Sequence, residues 1–138
     1  MSIDRWIRTP LLIAVTVASL AACTTIGSNS TLSLQERLQQ EGLQQGEPVK
    51  HVPFGIAGWR YLDARHVLID NSSGQNYLIE TSINCEELAF ASQLGYTTTA
   101  GTLTPFDRLR ARSSTGWPID CGIQSIYLLH NSQRPNHP

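Results

Sequence analysis

Several things this chain lacks narrow it at once. Gly-x-Ser-x-Gly, Ser-x-x-Lys and a Cys–His pairing with a familiar local context are all missing, so an acyl-transfer nucleophile has no support. His51, His66, His130 and His137 lie far apart, with no His-x-x-x-His or Cys-x-x-Cys. A zinc or dithiol centre therefore has no ligand pattern, and neither a metal nor a cofactor is expected. His66 precedes Val67-Leu68-Ile69 and reads as a strand-edge residue rather than a ligand. Charge is scarce too, at 15% of residues against about 25% in soluble domains. The formal charge is -1, without the basic surplus of a nucleic-acid binder. No apolar run reaches the roughly 20 residues of a membrane-spanning helix, and no fixed-period repeat is found.

What the amino terminus does contain is directional. Arg5 and Arg8 form a positive region, Leu11 to Ala22 is apolar and short, and Leu20-Ala21-Ala22-Cys23 sets small residues before a cysteine. This resembles a bacterial lipoprotein signal peptide over residues 1–22 with its lipobox. The resemblance implies a diacylglyceryl thioether on Cys23, cleavage before it and acylation of the new terminus. Each buried methylene contributes about 0.8 kcal/mol, so two or three chains make such an anchor effectively permanent. Thr24 stands where proteins kept at the inner membrane typically carry Asp, which implies the outer membrane, facing the periplasm. Without Arg5, Arg8 and Asp4 the formal charge goes from -1 to -2.

Cysteine number then becomes informative. With Cys23 assigned to lipid, Cys85 and Cys121 are the even remainder in an oxidising compartment, where a pair is expected to join. Closing a loop of that length contributes about 4 kcal/mol on chain-entropy grounds. The alternative is two buried free thiols.

Residues 23–48 read as the anchor cysteine, a tether and a short helix. TTIGSNSTLS, from Thr24 to Ser33, has too little apolar surface to pack and the composition of a flexible tether. Ser33 and Glu36 have capping-box spacing, Leu34 and Leu38 share a helical face, and Gly42 suits the terminus. The glutamines around them (Gln35, Gln39, Gln40, Gln44, Gln45) favour a solvated segment over a partner-binding helix. The globular domain is expected over 49–131 and a disordered tail over 132–138. Strands are expected at Trp59 to Leu62, His66 to Asp70, Asn76 to Thr81, Gly95 to Thr99, Phe106 to Ala111 and Ile119 to Leu129. Asn71-Ser72-Ser73-Gly74 reads as a hairpin loop. Cys85 to Ala91, with Asn84 as N-cap and two acids in the first turn, reads as one short helix. The fold class is mainly β (α+β): a small antiparallel sheet or half-open barrel with one helix, braced by the disulfide.

Residues able to carry chemistry are few. Asp63, Asp70, Glu80, Asp107 and Asp120 contain no pair that sequence can set at a catalytic separation. Asp63 beside Arg65 and Asp107 beside Arg108 suit ion pairs or turns. From Phe106 to Arg112, period-two alternation puts Arg108, Arg110 and Arg112 on one face and Leu109 with Ala111 on the other. Guanidinium groups suit phosphate and carboxylate; a charged outer strand face that resists edge aggregation explains the same pattern. Trp59, Tyr61, Tyr77, Tyr96 and Trp117 could line a groove, although core or hairpin packing accounts for most of them.

At these positions the chain resembles a known family. The order Trp59, Leu62-Asp63-x-Arg65-His66, Tyr77-Leu78, Cys85-x-x-Leu88, Gly101-Thr102, Phe106-Asp107-Arg108 and Cys121-x-Ile123-x-x-Ile126 is similar to domain of unknown function 6491, a family of small proteobacterial lipoproteins. The likeness runs from about Trp59 to Leu129 and rests on the order of short motifs and on the two cysteines. It implies fold and location, and suggests that Cys85 and Cys121 are a family feature. It implies no reaction. The expected function is a non-enzymatic envelope lipoprotein, held at the membrane by its lipid and binding an envelope protein, peptidoglycan or lipopolysaccharide, with no nucleic-acid partner. An enzyme acting on cell-wall or lipid substrates is the alternative, and a redox-active cysteine pair is a third.

Overall fold

The computed structural model describes residues 32–53, 55–98 and 101–132. The expectations for the leader, for Cys23 and the tether up to residue 31, and for the tail from residue 133 fall outside them. Among the described residues the chain forms helix α1 (Leu34–Gln40) and strands β1 (Leu43–Pro48), β2 (Ile56–Asp63), β3 (His66–Asn71), β4 (Asn76–Thr81), β5 (Leu94–Tyr96), β6 (Arg108–Arg112) and β7 (Pro118–Asn131). They make one antiparallel sheet, ordered β2-β3-β4-β7-β6-β5 and curled into a half-barrel, with β1 also paired to β7.

The capping box forms as its spacing predicts: the Glu36 amide donates to Ser33 Oγ and the Ser33 amide to Glu36 Oε2, so two of the helix's orphan donors are satisfied. Gly42, at φ 69°, ends the helix in the left-handed region open to glycine. The expected solvated segment ahead of a domain beginning near Val49 is not what is seen. Leu38 is fully buried, and β1 runs beside the end of β7, with Leu43 opposite Asn131 and Gln45 opposite Leu129. The packed unit therefore includes α1 and β1. Sequence reading missed β1 because LQQGEP offers one apolar side chain and no alternation; its backbone bonds to β7 hold it. Ser132, placed in the tail by sequence, donates its amide to Gly42 O at 2.9 Å.

β3 and β4 explain the architecture. Val67-Leu68-Ile69 and Tyr77-Leu78-Ile79 are buried without alternation, the signature of strands covered on both faces. On the inner face Val67, Ile69, Tyr77, Ile79, Leu109, Cys121, Ile123 and Ile126 pack with Val52, Leu88 and Leu103. On the outer face Leu68 and Leu78 pack with Leu38, Leu43, Leu62 and Leu129. Helix α1 lies on that outer face, and the Arg37 guanidinium ties it to the end of β2 by donating to Leu62 O at 2.7 Å.

β7 is the spine. One edge pairs with β4; along the other, β6 takes the start, from Pro118 to Gly122, and β1 the end. Between them Ile123 donates to Asp107 O and Ile126 O accepts from Val49, which continues the hydrogen bonding where the two strands leave a gap.

Cys85 and Cys121 are joined, Cα to Cα 6.3 Å apart, and both are buried. The segment after Cys85 is a five-residue 3-10 turn, Glu86–Phe90, not an α-helix, and Cys85 rather than Asn84 takes the N-cap position, with no side-chain cap. Its N-cap residue, Cys85, is held twice, by the disulfide and by its amide donating to Ala64 O. The turn is thus a covalently attached lid on the inner core. The expected strand beginning at Phe106 begins instead at Arg108, because Asp107 accepts from the Thr104 amide and hydroxyl at 2.8 and 2.7 Å and closes a turn there.

Candidate functional site

The expected alternation in β6 is found. Leu109 and Ala111 face inward, opposite Cys121 and Ile119, while Arg108, Arg110 and Arg112 are exposed and stand opposite Gly122, Asp120 and Pro118. Asp120 sits on the same outer face and serves two arginines, pairing with Arg108 and, at 3.5 Å, with Arg110. Arg112 has no carboxylate partner among the described residues. The row thus carries three positive charges and one negative, a local excess of two. The side chains of Arg108 and Arg110 are 52% and 62% exposed, so each pair contributes about 0–1 kcal/mol and leaves the arginines free to exchange partners.

A broad depression of about 720 Å³ borders this row, lined by Ser92, Gln93, Gly95, Arg110, Arg112 and Asp120 among others. A second, of about 460 Å³, lies beside the disulfide between Ile83, Glu87 and Trp117, and the two share Pro118, Ile119 and Asp120. Trp117 is 74% exposed on the β6–β7 turn, which Ser113 closes by exchanging backbone hydrogen bonds with Trp117 and Gly116. Of the aromatics read in the sequence as able to line a groove, Trp117 alone reaches solvent to this degree. Tyr77 is buried, and Trp59, Tyr61 and Tyr96 pack against the inner core. Ile83, Phe90 and Phe106 are also strongly exposed; of these the sequence singles out Phe106 alone, and nothing in the local pattern of the three separates them from core residues.

The carboxylates are largely engaged in structure. Asp63 Oδ1 accepts from the Arg65 amide and contacts His66 Nδ1 at 2.8 Å, so it closes the β2–β3 turn instead of pairing with the Arg65 guanidinium. That guanidinium reaches Thr81 O, Gln124 and Glu80, and Glu80 also accepts from Ser125. Asp70 differs: its Oδ1 is buried without a hydrogen-bond partner. A Cβ at Gly58 would lie 3.1 Å from Asp70 Oδ2, so glycine is what leaves room for this carboxylate between β2 and β3. Among the described residues no cluster of three or more His, Cys, Asp or Glu side chains could hold a metal, and none of the five carboxylates faces another across a cleft described above. Burial raises the Tyr61 hydroxyl above its usual value near 10, with Asp63 adding to the effect, and burial alone raises Tyr77. Both tyrosines belong to the core side of the sheet.

Fold and surface together define a class: a small disulfide-braced antiparallel half-barrel whose outer face is covered by α1 over β3 and β4 and carries exposed arginines on β6. The model of a family of unknown function, domain of unknown function 6491, matches residues 6–136. The chain belongs to that family. No curated protein and no solved structure matches it.

Proposed function

We propose that the protein is a lipid-anchored, non-enzymatic envelope protein of the outer membrane, facing the periplasm, whose half-barrel binds an anionic envelope component through its outer sheet face. The observation that carries the binding half of this reading is the arginine row. Three guanidiniums stand on one solvent-facing strand face with a single carboxylate between them, where bidentate recognition of phosphate or carboxylate is open to them. The anchoring half rests on the sequence around Cys23 and is supported by the disulfide between the other two cysteines, a bond that persists in oxidising compartments.

The test is the intact mass of the protein extracted from its membrane, with and without reduction before alkylation. A diacylated chain beginning at Cys23 that gains two alkyl groups only after reduction is the expected result. An unmodified amino terminus sinks the anchor. Cys23→Ala is expected to abolish lipid labelling and release the chain from the membrane fraction.

A further inference from the structure

We propose that the arginine row docks on the anionic headgroups of the membrane that holds the protein's own lipid, so that the half-barrel lies against the bilayer. The proposal rests on the anchored reading above and names the ligand of the same face.

Two observations lead to it. The first is the surface the row occupies. Arg108, Arg110 and Arg112 stand on one face of β6, opposite Gly122, Asp120 and Pro118, and all three are exposed, so the guanidiniums present a single outward row to whatever meets that face.

The second is charge. The mature chain is acidic overall, yet this row holds a local excess of two positive charges, and Arg112, at the end of the row, has no acidic partner among the described residues. Trp117 follows on the adjoining turn, exposed, a residue type that settles at the headgroup level of bilayers. Gly122 keeps the neighbouring outer surface low: a Cβ there would meet Ser82 Oγ at 2.7 Å, so a side chain would have to turn the Ser82 hydroxyl away from Gly122 O, to which it now donates. An anchored domain samples the surface at high effective concentration, so modest headgroup contacts suffice to orient it.

The test uses the full lipidated chain in vesicles of phosphatidylethanolamine with brominated phosphatidylglycerol as the anionic lipid, the component that attracts clustered Lys and Arg to a surface. With Trp59→Phe, Trp117 is the mature chain's remaining tryptophan. Its fluorescence is expected to be quenched, to recover as salt shortens the Debye length, and to stay unquenched in brominated phosphatidylcholine. Replacing Arg108, Arg110 and Arg112 by Gln is expected to lower the docked-to-free ratio on the order of a hundredfold, at about fivefold per charge. Asp120→Asn, which removes the one acid in the row, is expected to carry docking to higher salt.

An anchored protein whose Trp117 is never quenched overturns the docking and leaves the anchor standing. Quenching that is equal in neutral vesicles and insensitive to salt overturns the headgroups as the occupant, as does arginine-dependent sedimentation with peptidoglycan in the absence of quenching. A chain that carries no diacylglyceryl group and does not stay with the vesicles overturns both proposals at the anchor.

Discussion

Asn71 ties more of the chain together than any other buried polar residue described. Its Oδ1 accepts from the amides of Ser73 and Gln75 and from the Ser73 hydroxyl, while Nδ2 donates to Pro53 O at 3.1 Å. One side chain thus closes the β3–β4 hairpin and pins the strap ahead of β2 to it. Asn71→Ala removes all four bonds from a side chain only 2% exposed, and a loss of about 1–3 kcal/mol is expected in denaturant unfolding. The turn was legible in Asn-Ser-Ser-Gly; the reach to Pro53 was not, because no local pattern encodes a contact across eighteen residues. Cys85 and Cys121 were legible for a different reason, since setting one of three cysteines aside leaves a single pairing. Breaking it with Cys121→Ser is expected to cost about 2–4 kcal/mol, read as a fall in Tm that reducing agent reproduces in the unaltered protein. Tyr61 and Tyr77 hold their protons more tightly folded than unfolded. Their contribution is therefore present below the unfolded value near 10 and lost as pH rises through the higher folded values. Thermal unfolding followed upward past that pH is expected to show falling Tm, with a shallower fall in Tyr77→Phe.

At the scale of elements, α1 shows how a short helix survives. Seven residues are too few to be stable alone, and its exposed positions are mostly glutamine. What holds it is one leucine beneath and two ends fastened: Leu38 against Leu62, Leu68 and Leu78, the capping box at the start, and the Glu41–Arg60 ion pair at the finish. Leu38→Ala is expected to cost about 2–5 kcal/mol, which a solvated helix would not. The same substitution at Leu34, which is only partly buried, is expected to cost less, and unfolding of both variants side by side checks the difference. Hydrogen bonds from the Ser33 hydroxyl and amide lower the Glu36 pKa, so the cap's contribution is present at neutral pH and fades as pH falls through that lowered value. The central strands and their hairpin could be read from the sequence because buried β-branched runs bounded by turn residues leave few alternatives. β1 and the 3-10 turn could not, since each is dictated by partners distant in sequence: β1 by the end of β7, the turn by Cys121 and by Ala64.

For the molecule as a whole, stability and surface chemistry are separable. The arginine row lies outside both cores and its ion pairs are solvated, so replacing Arg108, Arg110 and Arg112 together is expected to leave denaturant stability within about 1 kcal/mol. A larger loss would show that the row is a structural element. The alternation that exposes these arginines was readable from residue types alone; Asp120 as their shared partner was not, because it arrives from another strand through register. Trp117 was readable as an aromatic but not as an exposed one, since exposure depends on where the turn points.

The fourteen-residue strand β7 sets the order in which this protein can exist. It is the last strand of the described residues, yet β4, β6 and β1 all pair with it, and it holds one half of the disulfide. Until Asn131 has left the ribosome, β1 has no partner and the sheet has no spine. Closure of the sheet therefore waits on this one strand. Loss of any part of Pro118–Asn131 is expected to cost the whole fold rather than one edge, because three strands lose their partner together.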